Sequence, residues 1–423
     1  MKATELFLGL DVHKDSITAV GAEGGRGAEV RHLGTLTNDL HALERLITKL
    51  RGPGKRPLQV CYEAGPCGFV IARRLAQLGV PCTVVAPSLI PRKPGDQIKT
   101  DRRDAEKLAR LLRAGDLDAI YVPEPTDEAI RDLCRARTDA VDDRNRARHR
   151  LKSFLLRHGY RYSGHASWGA AHMRYLRELV LPHSAMKVIM EDYLSAVDAA
   201  QERVLRCEQA MEELLVDWQL KPAVKALMAF KGFQIVAAMI VVSELGYVPR
   251  FGHPRKLMAY LGLVPSESTS SDKRRQGAIT KCGNPHVRWL LVECSQHYAT
   301  PPKVSQELSR RQEGTDRRTK EVSWRAQNRL HSRFKKLTGR KLTRNKAVVA
   351  VARELAAFIW ELLHELPCYL RIRPEQLPNE EPQSESEPAT APALCVTPVG
   401  ARGSRALKGK AGINSPEARS RCA

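Results

Sequence analysis

Three short apolar runs in the first 86 residues each lead to an acid or to an acidic helix, and this placement constrains the fold more than any other feature. Leu6–Leu10 is the kind of run that forms a buried strand, and it ends at Asp11. After a turn over 12–15, Ser16–Val20 reads as a second strand paired with the first. A turn-rich tip follows, then a third strand near Glu29–Leu33. Leu43, Leu46, Ile47 and Leu50 share one face of a helix over Leu40–Leu50. Leu58–Tyr62 is a fourth strand ending at Glu63, and Ala64–Gly68 opens a helix over Phe69–Leu78. Val80–Ala86 is a fifth strand, and a loop over 87–97 leads to Lys99-Thr100-Asp101-Arg102-Arg103-Asp104-Ala105.

Thr100 or Asp101 caps the helix that starts there, whose apolar positions are Ala105, Leu108, Ala109, Leu111 and Leu112. Asp101 and Asp104 are spaced i, i+3, so both carboxylates leave one face of the first turn. Two acids that close repel unless a cation lies between them. The helix N-terminus with Lys99, Arg102 and Arg103 offsets part of this, and a divalent metal would offset more. First-turn acids often do nothing but balance the helix dipole, and a strand-ending acid is individually commonplace. In an α/β domain, however, the C-terminal ends of parallel strands share one edge of the sheet, where sites form. Asp11, Glu63, Asp101 and Asp104 all map to such an edge and could surround one or two Mg²⁺ ions, which suit phosphodiester chemistry.

The 423 residues allow two or three domains, each with a core. With no apolar run of 18 residues and no signal-peptide pattern, the chain is expected to be cytoplasmic with no membrane contact. Sixty-nine Lys and Arg against 47 Asp and Glu leave a formal charge of +22, which points to a polyanionic partner, nucleic acid above all. The ten cysteines are scattered with no Cys-x-x-Cys, so they read as reduced, and structural zinc is not expected.

Residues 126–158 form a long charged helix whose second half carries Arg144, Arg146, Arg148, Arg150 and Lys152. Such a run is either a solvated or coiled-coil face or a phosphate contact; its lopsided charge favours phosphate, with Arg146, Arg148 and Arg150 as candidates. A second long helix, Ala185–Trp218, follows a break over 159–168, suggesting an antiparallel pair and a dimerisation element. Leu227–Phe233 with Ile235–Leu245 reads as helix–turn–helix with Gly232 at the turn: a helix-hairpin-helix whose amides meet phosphate, or a plain helical corner. A short helix within Arg250–Leu263 precedes a serine-rich loop, Pro265-Ser266-Glu267-Ser268-Thr269-Ser270-Ser271-Asp272. Lys273-Arg274-Arg275 and Thr280-Lys281-Cys282-Gly283-Asn284 follow, the last capping a further helix. Serine clusters are usually turns, but hydroxyls beside Lys273, Arg274, Arg275 and Lys281 also form a phosphate-facing surface with a nucleophile available. Helices around Trp324–Phe334 and Lys346–Leu366 close the folded part. From about Pro374 the composition turns to Glu, Pro, Ser, Ala and Gly, expected to be disordered.

Gly9-Leu10-Asp11-Val12-His13-Lys14, Tyr62-Glu63-Ala64-Gly65 and Lys99–Ala105, in that order, resemble the DEDD-type insertion-sequence transposases. The resemblance covers roughly residues 4–366. It implies a RuvC-like, ribonuclease-H-like mixed sheet over 1–125 with Asp11, Glu63, Asp101 and Asp104 as the four acids, binding Mg²⁺ or Mn²⁺. It further implies a mainly helical transposase domain over 221–370; with the long helical dimerisation region over 126–220 and the tail over 371–423 read from the residues themselves, the chain is an α/β part followed by an all-α one. The stretch after Gly262-Leu263-Val264-Pro265 is similar to the family's serine segment and puts the nucleophile at Ser270, with Ser271 where the family has glycine. Members act on DNA as homo-oligomers, dimers or tetramers, guided by a structured RNA, and base pairing would supply the specificity. A DNA invertase of the same architecture, a metal-only RuvC-like nuclease or junction resolvase, and a non-enzymatic nucleic-acid-binding remnant are the rival expectations.

Overall fold

The computed structural model describes residues 5–25, 27–91, 100–165, 167–270 and 273–370; Lys99, Ser271 and the 371–423 tail lie outside them. Strands β1 (Leu6–Val12), β2 (Ser16–Glu23) and β3 (Val30–Thr37) run as an antiparallel meander. Helix α1 (Leu40–Arg51) crosses to β4 (Leu58–Glu63), and α2 (Val70–Gln77) crosses to β5 (Cys82–Val85). Both later strands are parallel to β1, giving one mixed sheet in the order β3-β2-β1-β4-β5. This is the sheet expected from the sequence.

Strand alternation divides the sheet's two faces. Leu6, Leu8 and Leu10 of β1 and Val60 and Tyr62 of β4 bury against Leu43 and Ile47 of α1 and Ile71 and Leu75 of α2. The alternate residues, Phe7 and Cys61, face helix α3 (Asp101–Ala114), where Ala105, Leu108, Ala109 and Leu112 are buried. Asp11 and Glu63 continue these second sets, so period two assigns both to the α3 face.

Helix α4 (Pro125–Arg157) is followed by α5 (Ala170–Glu178) and α6 (Ser184–Leu215). α4 and α6 pack as the expected antiparallel pair: Arg137 pairs with Glu208, Asp143 with Arg203, and Arg144 donates to Gln201 at 3.1 Å, one number rising as the other falls. One end of the pair closes over Leu151, Phe154, Leu155, Leu176 and Met190. At the other end Ile130, Cys134, Met211 and Trp218 belong to the large C-terminal core. That core gathers α7 (Lys221–Met228), α8 (Ile235–Leu245), α9 (Pro254–Tyr260), α10 (Pro285–Ser295), α12 (Arg317–Gly339) and α13 (Arg344–Leu363), with the short α11 (Gln306–Arg311) and α14 (Pro367–Leu370) at its margin.

The expected serine-rich loop is instead a two-stranded hairpin, β6 (Pro265–Ser270) and β7 (Lys273–Ile279). Its strands are almost wholly polar, so no apolar alternation marked them in the sequence. Among the described residues no helix is long and apolar enough to cross a membrane, and the eight described cysteines are unpaired.

Candidate active site

The acidic edge depends first on Gly9. A Cβ there would lie 2.2 Å from the Ala105 carbonyl oxygen and 2.5 Å from the Ala109 nitrogen, so only glycine lets α3 lie directly on β1. Ala105 and Ala109, both fully buried, are the matching small residues on the helix. Thr100 caps α3 by accepting from the Arg103 amide at 3.3 Å, which fixes where the first turn starts. That turn carries Asp101 and Asp104 toward the end of β1. Gly9→Ala is therefore expected to cost about 1–3 kcal/mol of stability through overpacking. It should also weaken divalent-cation binding as α3 lifts from the strand; calorimetric titration with Mn²⁺ beside a denaturant melt checks both effects.

Asp11, His13 and Asp101 form a cluster in which one ligand atom from each lies within 4.8 Å of the others. His13 Nε2 is 3.2 Å from Asp11 Oδ2 and 3.6 Å from Asp101 Oδ1. Burial raises the Asp11 pKa; His13 opposes this, and the charges of Asp101 and Asp104 raise it further. Asp104 is thus within electrostatic reach of Asp11, although its carboxylate is outside the tight group. Glu63 ends the neighbouring parallel strand, where the register Leu10↔Tyr62 leads directly to Asp11 beside Glu63. Its side chain is exposed and is not in the tight group either. Hard oxygen donors, mutual repulsion and partial burial of Asp11 suit a divalent cation better than water alone.

The hairpin is the second element. Ser270 ends β6 and its backbone pairs with Lys273, while Thr269 pairs with Arg274 and Ser268 with Arg275. Two glycines let the chain cross itself at the hairpin's base. At Gly262 (φ +61°) a Cβ would meet Cys282 O at 2.4 Å, and at Gly283 (φ +67°) it would meet Tyr260 O at 1.8 Å. Lys281, beside this crossing, also holds a left-handed backbone at φ +56°, and its amide donates to Gly262 O at 3.1 Å. Arg288 Nη1 donates to the carbonyls of Leu261 and Cys282, at 2.9 and 2.8 Å, tying both limbs of the crossing to α10.

Beneath the base lies Glu244, with its side chain only 1% exposed and the sole charge in the largely apolar α8. Arg135 grips it bidentately, Nε to Oε1 at 2.7 Å and Nη2 to Oε2 at 3.0 Å. Asn284, the α10 cap, donates to Oε2 at 2.8 Å, and His286 Nδ1 lies 3.2 Å from Oε1 with its Nε2 3.2 Å from Thr138. Burial alone would raise this carboxyl's pKa, but the hydrogen bonds from His286, Arg135 and Asn284 outweigh it and hold it at about 2.

A transposase family model of the DEDD, IS110 type matches residues 8–159, which contain all four acids. The model for the transposase IS116/IS110/IS902 family matches 224–308, which contains the hairpin and its anchor. The y4qE protein of Sinorhizobium fredii (strain NBRC 101917 / NGR234) is 40% identical over 361 residues, spanning 85% of this chain and 89% of its own. The chain belongs to the IS116/IS110/IS902 family of transposases. The transposase for insertion sequence element IS1533 of Leptospira borgpetersenii is 28% identical, over 79% of this chain and 96% of its own. The one for IS1111A of Coxiella burnetii is 24% identical, over 70% and 75%.

In this insertion-sequence transposase the structure draws Asp11 and Asp101 together with Asp104 close by, and sets Glu63 on the adjacent strand end. It does not join them to Ser270: among the described elements, the hairpin makes its extensive contacts only within itself. The trio Arg146, Arg148 and Arg150 is divided. Arg146 and Arg150, four apart on α4, are exposed, whereas Arg148 is half-buried, with its guanidinium over the Trp168 ring at 5.0 Å. Two participants were missed in the sequence. His13 had a signal, two residues beyond a strand-ending acid; Glu244 had one too, as the only charge in an apolar helix.

Proposed function

We propose that this transposase cuts and rejoins DNA through two half-sites, the carboxylates of Asp11, Glu63, Asp101 and Asp104 and a serine nucleophile at Ser270. The gathering of three of those acids at one sheet edge, with the His13 imidazole beside two of them, is the observation that carries the reading. The four carboxylates would hold Mg²⁺ or Mn²⁺. When bound, the ion supplies Lewis-acid stabilisation of phosphate oxygens. Ser270 Oγ forms a new bond to phosphorus as one P–O bond to a deoxyribose breaks, and the serine proton passes to the departing oxygen. Attack by the hydroxyl of another strand reverses this, freeing the serine and joining the strands. Arg275 and Lys281, with Lys273 and Arg274, hold the phosphate and offset its charge in the transition state.

The labour divides as 1–125 for the acids, 126–220 for assembly and 221–370 for strand attack. Because the hairpin is packed mainly on itself, the two half-sites meet by closure or between subunits of a homo-oligomer. Guide-RNA pairing would supply sequence choice, consistent with +22 charge and few base-reading motifs. The same isolation of the hairpin favours a second reading, in which water is the nucleophile and Ser270 is structural.

Cleavage of DNA bearing the element's ends tests the acids. It should stop with EDTA and return with Mg²⁺. Asp11→Asn should keep the melting transition of the parent and lose cleavage by at least about 10²-fold, the size of losing a group that stabilises transition-state charge. Undiminished cleavage by Asp11→Asn would remove this edge from the chemistry.

A further inference from the structure

The far end of the α4–α6 pair carries a feature that neither the acids nor the hairpin uses. Residues from the end of α4, from Tyr160–Tyr162, from Ser167–Trp168 and from α5 line a pocket of ≈ 350 Å³. Its walls include Tyr160, Tyr162, Trp168 and Tyr175, with Lys152 and Arg161 at its edges. The apolar core beneath is already closed by Leu151, Phe154, Leu155 and Leu176. The aromatic layer is therefore additional to that core, and all four of its rings are half-buried, keeping surface open to solvent.

The layer is held in place at a cost. Trp168 sits at φ +68°, a left-handed backbone that a bulky side chain rarely adopts. Its amide donates to His172 Nδ1 at 2.9 Å, and the His172 ring is buried 4.6 Å from Tyr162 and 5.1 Å from Trp168. Accepting at Nδ1 places the ring's proton on Nε2, and burial, together with the charge of Lys152, lowers its pKa. Arg148 covers one face of Trp168. From Arg144 to Glu178 the chain carries nine Lys and Arg and a single acid, Glu178.

We infer that this tip is a stacking site for unpaired bases of a single-stranded nucleic-acid segment. Half-open aromatic faces bordered by cations are the means by which proteins hold single strands: rings take the bases and Lys and Arg take the phosphates. A duplex does not fit this chemistry, because its bases are already stacked on one another. The exposed Arg150 extends the phosphate track along α4, while Arg146, also exposed, is paired with Asp143. The inference requires a nucleic-acid partner, but it is independent of the metal and serine chemistry proposed above.

The test uses the full chain and three labelled 12-nucleotide probes: oligo-dT, oligo-U, and an abasic backbone of the same length. Trp168→Gly keeps the left-handed backbone without strain while removing the ring. It should weaken binding of the base-bearing probes by about 5–150-fold, the size of one base–ring stack, and leave the abasic probe unchanged. Trp168→Phe should restore most of the loss. Tyr160→Leu, which keeps apolar volume, gives the same reading should the glycine variant not fold. The stronger binder of oligo-dT and oligo-U tells whether the strand is DNA or RNA. Equal loss on the abasic probe, no loss at all, or a changed oligomeric state without base-dependent loss would each overturn the assignment, the last in favour of a contact between copies.

Discussion

Glu244→Ala is expected to lower the unfolding free energy by about 1–3 kcal/mol, because it leaves Asn284 and His286 without their buried acceptor and the half-exposed Arg135 guanidinium without its partner. Four groups from α4 and α10 converge on this one carboxylate. Three of them are direct donors, and the fourth, Thr138, positions His286. Loss of the anchor frees the crossing at Gly262 and Gly283, so strand cleavage should fall more steeply than stability alone predicts. Acid should reproduce the effect in the parent. Glu244 has its folded pKa depressed from 4.5 to about 2, so its contribution is full above pH 4.5 and is lost as pH falls through about 2. The shift corresponds to about 3 kcal/mol. Urea melts between pH 7 and 2.5 should show the parent losing stability relative to Glu244→Gln across that window. Parallel curves for the two proteins would mean that the carboxylate's charge does not carry the anchor.

The N-terminal sheet was legible because β1, β4 and β5 are short apolar runs and the helix between β3 and β4 has a clear apolar face, as in Leu58–Glu63 and Leu40–Arg51. The position of Asp101 and Asp104 was legible through the Thr100 cap. What local pattern could not give was anything decided by contact across the fold. Gly9 looked like one residue of a motif, yet its function is steric, in the 2.2 Å that a Cβ would leave to Ala105 O. The polar hairpin had no apolar period to reveal it. Glu244 sits among Ile240, Val241, Val242 and Leu245, and its partners are more than a hundred residues upstream and forty downstream. The arginine run on α4 was legible as charge but not as faces: residues two apart on a helix point to opposite sides, which turns Arg148 inward while Arg146 and Arg150 face solvent.

Acids at the end of β1 and α3 are proposed to act together with the serine of the hairpin on one phosphate. Denaturing-gel trapping of a protein–DNA adduct, followed by peptide mapping, tests it in a single series: parent, Ser270→Ala and Asp104→Asn, each with DNA bearing the element's ends and Mg²⁺. An adduct on Ser270 is expected in the parent and should be absent from Ser270→Ala. In Asp104→Asn, whose serine is intact but whose acidic edge lacks one carboxylate, the adduct should fall by at least about 10²-fold. Binding to the same DNA should persist in all three. An adduct that forms undiminished in Asp104→Asn, or a phosphate mapped to Ser268 or Ser271, would contradict it.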